Sequence, residues 1–365
     1  MRGTKRLKTI VGLVLALALV ATACGDDDGA GETVPVSLQL QWVTQAQFAG
    51  YFAALDQGFY EDVGLDVTIL EGAVDIVPQQ VVASGQAEFG LAWVPKALVS
   101  NEEGAGLVNI GQVFQRSGTL EVSWADTGID DPTDWAGKRV GTWGFGNEFE
   151  LTAAIEKFDV PDVELVQQPF DMSLLLNREV DAAQAMTYNE YAQVLEAINP
   201  DTGELYQPDD LNVVDFNEVG TAMLQDAIWV QEEWLEDEDN QDVAERFLEA
   251  SYRGWIFCRD NFDACVDIVL ENGPTLGESH QRWQLNEINK LIWPSPEGIG
   301  VMNADFWAQT VEVATGQDVI ESDPGTDVFT NVHTEAALSE LADDGLDVTG
   351  TDYTPIVVEL NEGGE

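Results

Sequence analysis

Residues 143–148, Trp-Gly-Phe-Gly-Asn-Glu, put two aromatic rings, an amide and a carboxylate into six positions, separated by Gly144 and Gly146. Glycine lets backbone approach a bound molecule closely, aromatic faces hold flat rings, and Asn147 and Glu148 can hydrogen-bond ring nitrogens or amides. The helix-like run "FELTAAIEKF" that follows adds unpaired backbone N–H donors at its start. This is equipment for holding a small planar solute. Comparable groups follow other strand-like runs: Trp42, Gln45, Gln47 and Phe48 in "WVTQAQF", Trp93 in "AWVPK", Arg116 in "QRSGT", and Tyr188 and Glu190 in "TYNEY". Ligands of α/β sheets lie beyond the carboxyl ends of strands. These residues, with Trp143, Phe145, Asn147 and Glu148, are therefore the expected lining of a cleft. Phe52, Phe59, Trp255 and Trp283 fall in helical periodicity and are expected in the core.

Charge narrows the solute. Against 67 acidic residues stand 15 basic ones, a net charge of −52, which repels nucleic acid and anionic membranes. Hydrophobic residues make up 45% of the chain, enough for two cores, so the acidity belongs to the surface. Lys96 and Arg116 are the cations nearest the predicted cleft, and Lys96, after Pro95, reads as a surface residue. A neutral or weakly basic heterocycle fits better than a sulfonate or nitrate. No metal or cofactor is expected: Cys258 and Cys265, in "CRDNFDAC", have no histidine nearby. On a continuous helix seven residues would hold them about 10 Å apart, beyond disulfide reach. A turn at Asn261, a candidate N-cap, would bring them together, and both arrangements stay open.

The elements that must position these groups follow from periodicity. "VPVSLQLQW" alternates like a strand, "FAGYFAALDQGFYEDVG" has helical spacing with glycines at 58 and 64 as stops, and "LDVTIL" is a second strand. Such a unit argues for a parallel sheet. "QQVVASGQAEFGLAWV" and "SLLLNREVDAAQAMTY" repeat one helix–turn–strand form, one copy per lobe. The prediction is an α/β protein of two lobes, each a mixed, mostly parallel sheet flanked by helices, with the cleft between them. Residues 36–125 make the first part of the N-lobe, 126–230 the second lobe, 231–320 a return to the N-lobe with C-terminal helices, and 321–365 an acidic C-terminal segment. Ahead of them, "MRGTKRLK" and the 12-residue apolar run "TIVGLVLALALV" read as a secretory signal, residues 1–23, too short to span a bilayer. "VATAC" resembles a bacterial lipobox. Cys24 is then the lipidated residue, residues 24–35 form an acidic tether, and the protein sits on the extracytoplasmic face of the membrane.

Ala54, Asp56, Gly58, Phe59, Tyr60, Gly64, Leu65 and Val67 complete the pattern A-x-D-x-G-[FY]-[FY]-x-x-x-G-L-x-V. Over about residues 36–310 the chain resembles the solute-binding proteins of ABC importers for nitrate, sulfonates, taurine and the pyrimidine precursor of thiamine. Its "LQLQWVTQAQFAGY" is similar to riboflavin-type binders. The resemblance implies a type II periplasmic-binding-protein fold. It also implies a monomeric lipoprotein that hands a thiamine pyrimidine precursor or riboflavin to an ABC permease and ATPase. Fungal thiamine-pyrimidine synthases share the superfamily, and Glu148 and Phe149 align with their Gly-Glu-Phe. Yet Ala92 stands where their pyridoxal phosphate lysine falls, "TAMLQDAIW" replaces their iron cysteines, and neither His280 nor His333 lies in that segment. The resemblance therefore points to a binding protein and not an enzyme.

Overall fold

The computed structural model describes residues 33–365; the signal, Cys24 and nearly all of the tether lie outside them. In chain order the strands are β1 Val34–Gln39, β2 Leu65–Leu70, β3 Phe89–Trp93, β4 Leu107–Gln112, β5 Thr119–Trp124, β6 Arg139–Thr142, β7 Glu164–Gln167, β8 Ala182–Met186, β9 Leu211–Asp215 and β10 Asp226–Gln231. They form two five-stranded sheets, ordered β2-β1-β3-β10-β4 and β7-β6-β8-β5-β9. In the first, β1 runs parallel to β2 and β3, and β10 runs antiparallel between β3 and β4. In the second, β6 is parallel to β7 and β8, while β5 is antiparallel to β8 and β9. Each sheet has helices on its faces, as the repeated strand–helix pattern predicts.

The lobe boundaries differ from the sequence reading. Strand β5 pairs with β8 and β9, so the chain crosses into the second lobe at about residues 113–118 and not at 126. It returns before Asp226, because β10 completes the first sheet. The C-terminal segment is also more than an acidic tail. Its helix Val332–Asp343 buries Ala337, Leu338 and Leu341 in the first-lobe core, and Thr334 meets the Tyr252 hydroxyl at 2.8 Å.

That core is organised by the helix Glu238–Asp260, which Asp237 caps by accepting from the Asp239 N–H. Phe247, Leu248, Tyr252 and Trp255 on it are buried. Gly254 lets it press against the helix Ala49–Asp56, since a Cβ there would lie 2.0 Å from the Gly50 carbonyl. The helix ends at Asn261, where the chain turns into the helix Phe262–Asn272. The turn brings the Cα atoms of Cys258 and Cys265 to 5.0 Å, and the two are joined as a disulfide. Phe52 and Trp255 lie in the core as expected, whereas Trp283 packs on the second-lobe cluster. Among the described residues no helix is long and apolar enough to cross a membrane.

Candidate functional site

Between the lobes the segments following β1, β3, β6 and β8 enclose a cavity of about 520 Å³, within the range of small-molecule sites. Nine of the twelve expected residues line it: Trp42, Gln45, Gln47, Trp93, Trp143, Phe145, Asn147, Tyr188 and Glu190. The other three do not. Phe48 ends the short 3₁₀ turn Ala46–Phe48 and is fully buried in the first-lobe core. The Arg116 guanidinium donates to the carbonyls of Lys290, Leu291 and Pro294, tying the crossover to a helix end. Glu148 turns back on its own loop and accepts from the Gly146 N–H at 2.9 Å.

The first-lobe wall is built around Asp226, which begins β10. Its carboxylate accepts from Gln41 at 2.5 Å, Gln47 at 2.9 Å and the Trp93 indole at 2.9 Å. Gln45 in turn donates to Gln47 at 2.7 Å. Burial pushes the Asp226 carboxyl up to about 6, against the pull of those three donors. The sequence reading missed it; an aspartate opening the apolar run "DAIWV" was the available signal.

The second-lobe wall is the loop 143–148. Gly144, Phe145 and Gly146 have φ of 69°, 57° and 83°, three consecutive left-handed residues, one of them not glycine. Gln184 holds the loop from behind: its oxygen takes the Thr142 hydroxyl at 2.8 Å and its nitrogen donates to the Asn147 carbonyl at 2.5 Å. Gln167 donates to the Trp143 carbonyl. Phe170, not singled out from sequence, joins the walls: its ring lies 5.0 Å from Trp42 of the first lobe and stacks at 6.4 Å on Trp143 of the second. At the base sit Tyr188 and Glu190, both buried. Burial raises the pKa of each and so disfavours its ionised form, with Asp226 and Glu190 adding to the effect on Tyr188.

Lys96 was expected at the surface and instead lines the cavity. It lies 4.9 Å from the centre of the Trp93 ring and donates across the lobes to Asn147 at 2.7 Å. Burial lowers its ammonium to about 8, while Glu148 and Asp226 favour its charge. The polar groups thus divide. Glu190 offers acceptor oxygens, with Tyr188 beside it, and Lys96 and Asn147 offer donors. Ile76, Val77 and Pro78 add an apolar side. Such a cavity suits a flat solute that carries both N–H donors and an acceptor. Among the described residues no cluster of three or more His, Cys, Asp or Glu could hold a metal, and Ala92, not a lysine, faces the cavity from β3.

With this geometry in hand, likeness to known proteins is informative. The family description "NMT1/THI5 like" matches residues 45–264. The formylaminopyrimidine-binding protein of Halalkalibacterium halodurans is 24% identical over 86% of this chain and 94% of its own. The 4-amino-5-hydroxymethyl-2-methylpyrimidine phosphate synthase of Schizosaccharomyces pombe is 24% identical, over 41% of this chain and 44% of its own. Among solved structures, the putative periplasmic sulfonate-binding protein SsuA of Methylobacillus flagellatus superposes with a TM-score of 0.62 at 14% identity, covering 90% of this chain and 99% of that one. That last likeness speaks for the fold, the periplasmic-binding-protein architecture.

Proposed function

The chain belongs to the NMT1/THI5-like family, and from that premise we propose that it is the solute-binding component of an ABC importer, capturing a thiamine-type aminopyrimidine outside the cytoplasm. The observation that carries this reading is the polarity of the cavity. An aminopyrimidine bearing a formylamino or hydroxymethyl arm has amino donors to meet Glu190, a flat ring to sit against Trp42, Trp143 and Tyr188, and an oxygen within reach of Lys96 or Asn147. The likeness to the formylaminopyrimidine-binding protein along nearly its whole length supports the same class. A sulfonate is a poorer guest: Lys96 is the one cation among the described lining residues, and Glu148 and Asp226 lie close enough to influence its charge. The synthase reading is poorer still, since the position from which the family's enzymes hold pyridoxal phosphate is Ala92 here.

Calorimetric titration with formylaminopyrimidine, hydroxymethyl-aminopyrimidine, riboflavin, taurine and nitrate tests the reading. We expect binding of one or both aminopyrimidines at micromolar affinity or tighter, about −8 kcal/mol or better, and no response to taurine or nitrate. Tight taurine binding would refute it. Attachment through Cys24 is tested separately: Cys24→Ser is expected to move the protein from the membrane to the soluble fraction.

A further inference from the structure

His280 lines no part of the cavity, yet it is nearly buried, with 13% of its side chain exposed, and it spans the lobes. It sits on the helix Glu278–Ile292, which also supports the first-lobe wall: Gln281 accepts from the Ala46 N–H at 2.7 Å and Gln284 from the Gln47 N–H at 3.3 Å. On its other side His280 reaches the second lobe. Its Nδ1 lies 2.8 Å from Glu196 Oε1 and its Nε2 lies 2.9 Å from Asn189 Oδ1. Asn189 Nδ2 then donates to Glu190 Oε1 at 2.9 Å, and Glu190 Oε2 accepts from the Met186 N–H at 3.0 Å. The chain of contacts has a direction. With the Asn189 nitrogen committed to Glu190, the amide presents its oxygen to His280, and Glu196 presents another. Both ring nitrogens therefore face oxygens of the second lobe.

We propose that His280 is a positioning residue. It fastens the second lobe to the helix Glu278–Ile292 and, through Asn189, fixes the orientation in which the Glu190 carboxylate meets a solute. One helix then braces both lobes at the cavity, with Gln281 and Gln284 holding the first-lobe wall and His280 holding Asn189 and Glu190 of the second lobe. The role of Glu190 toward a solute rests on the function proposed above; the fastening of the lobes does not.

The experiment separates these parts. Fluorophores on cysteines introduced at two exposed positions, Asp66 of the first lobe and Glu164 of the second, report lobe spacing by energy transfer without ligand, and calorimetry reports aminopyrimidine affinity. His280→Ala is expected to widen the ligand-free spacing and weaken binding about tenfold. His280→Gln, whose single amide nitrogen stands in for two ring nitrogens, should fall between. In a Glu190→Gln background His280→Ala should cost less than about twofold more, because contacts in one network couple and independent ones add. A purely structural loss would be additive in that cycle and would overturn the positioning role. Unchanged spacing in His280→Ala would overturn the fastening. Should the wild type bind no aminopyrimidine, the functional reading fails and spacing alone decides: widening supports the latch, no change refutes it. Melting curves confirm that each variant is folded.

Discussion

The two tryptophan-led segments that face each other across the cavity are built by opposite means. The stretch after β1 is anchored inward. Ala46, Gln47 and Phe48 are buried, and its amides converge on the Asp226 carboxylate, which comes from a strand 179 residues away from Gln47. The loop after β6 is anchored at its ends and back, with the Lys96–Asn147 hydrogen bond reaching it from the first lobe. Its middle has left-handed backbone, Phe145 is 75% exposed, and the firm attachment comes just beyond it at Glu150. That carboxylate accepts from the Met223 N–H at 2.6 Å and the Ser117 hydroxyl at 3.0 Å, one group on each segment that crosses between the lobes. One wall is thus pre-formed around a buried carboxylate, while the other is hung from the crossover through Glu150.

Removing the charge that organises the first wall should have the largest effect. Asp226→Ala leaves three donors unpaired, that of Gln47 buried and those of Gln41 and Trp93 half-buried, and hydrogen bonds to charged groups are worth about 1.5–3 kcal/mol each. We expect solute affinity to fall about a hundredfold or more and stability by about 3 kcal/mol, by calorimetry and urea unfolding. Wild-type affinity in this variant would erase the distinction between the walls. Glu150 tests the second wall by pH. Burial raises its carboxyl from 4.5 to about 7. Between those values the unfolded chain gives up this proton and the folded chain keeps it, so the group's contribution to stability is lost as pH rises through about 4.5 to 7. Glu150→Gln mimics the protonated form. It should match the wild type near pH 4 and exceed it above pH 7 by up to about 3 kcal/mol, at about 1.4 kcal/mol per pKa unit. Equal stability of the two proteins at every pH would refute the shift.

Smaller effects belong to the loop itself. Gly146 has a φ of 83°, and a Cβ there would touch Phe149 at 3.4 Å and Lys96 at 3.6 Å. Gly146→Ala should cost about 1–2 kcal/mol of stability and weaken binding severalfold. Phe145→Gly removes an exposed ring and the strain of a side chain at φ 57°, so stability should change by less than about 1 kcal/mol and affinity by no more than a few-fold. A larger loss of affinity would show that the Phe145 ring packs directly on the solute.

The sequence revealed the walls better than what braces them. Strand alternation and the repeated helix–turn–strand form located both sheets, and aromatic, amide and carboxylate residues just past strands found nine lining positions. Phe48 was misplaced because helical and loop phases meet at residue 48 and the 3₁₀ turn sends that ring inward. Arg116 and Glu148 were misplaced because their partners, the carbonyls at 290, 291 and 294 and the Gly146 N–H, depend on the path of the backbone. Asp226 escaped notice, and Lys96 was read as a surface residue, because a lone charge in an apolar run carries no period. Their importance arises from β10 lying beside β3, a pairing across 133 residues for Trp93 and Asp226. The same non-local pairing displaced the predicted lobe boundaries.

Strand β10 lies between β3 and β4, and this imposes an order of assembly. The second sheet draws its strands from the unbroken stretch 119–215, whereas the first has a vacant lane until residue 231 is in place. An emerging chain therefore carries two apolar strand edges with nothing between them, the kind that recruits stray strands. Pairing across such sequence distances is slow. The later-made lobe can fold at once and then brings β10 to the opening. A fragment ending before Asp226 should consequently aggregate, while the stretch 119–215 is the portion with the means to fold first.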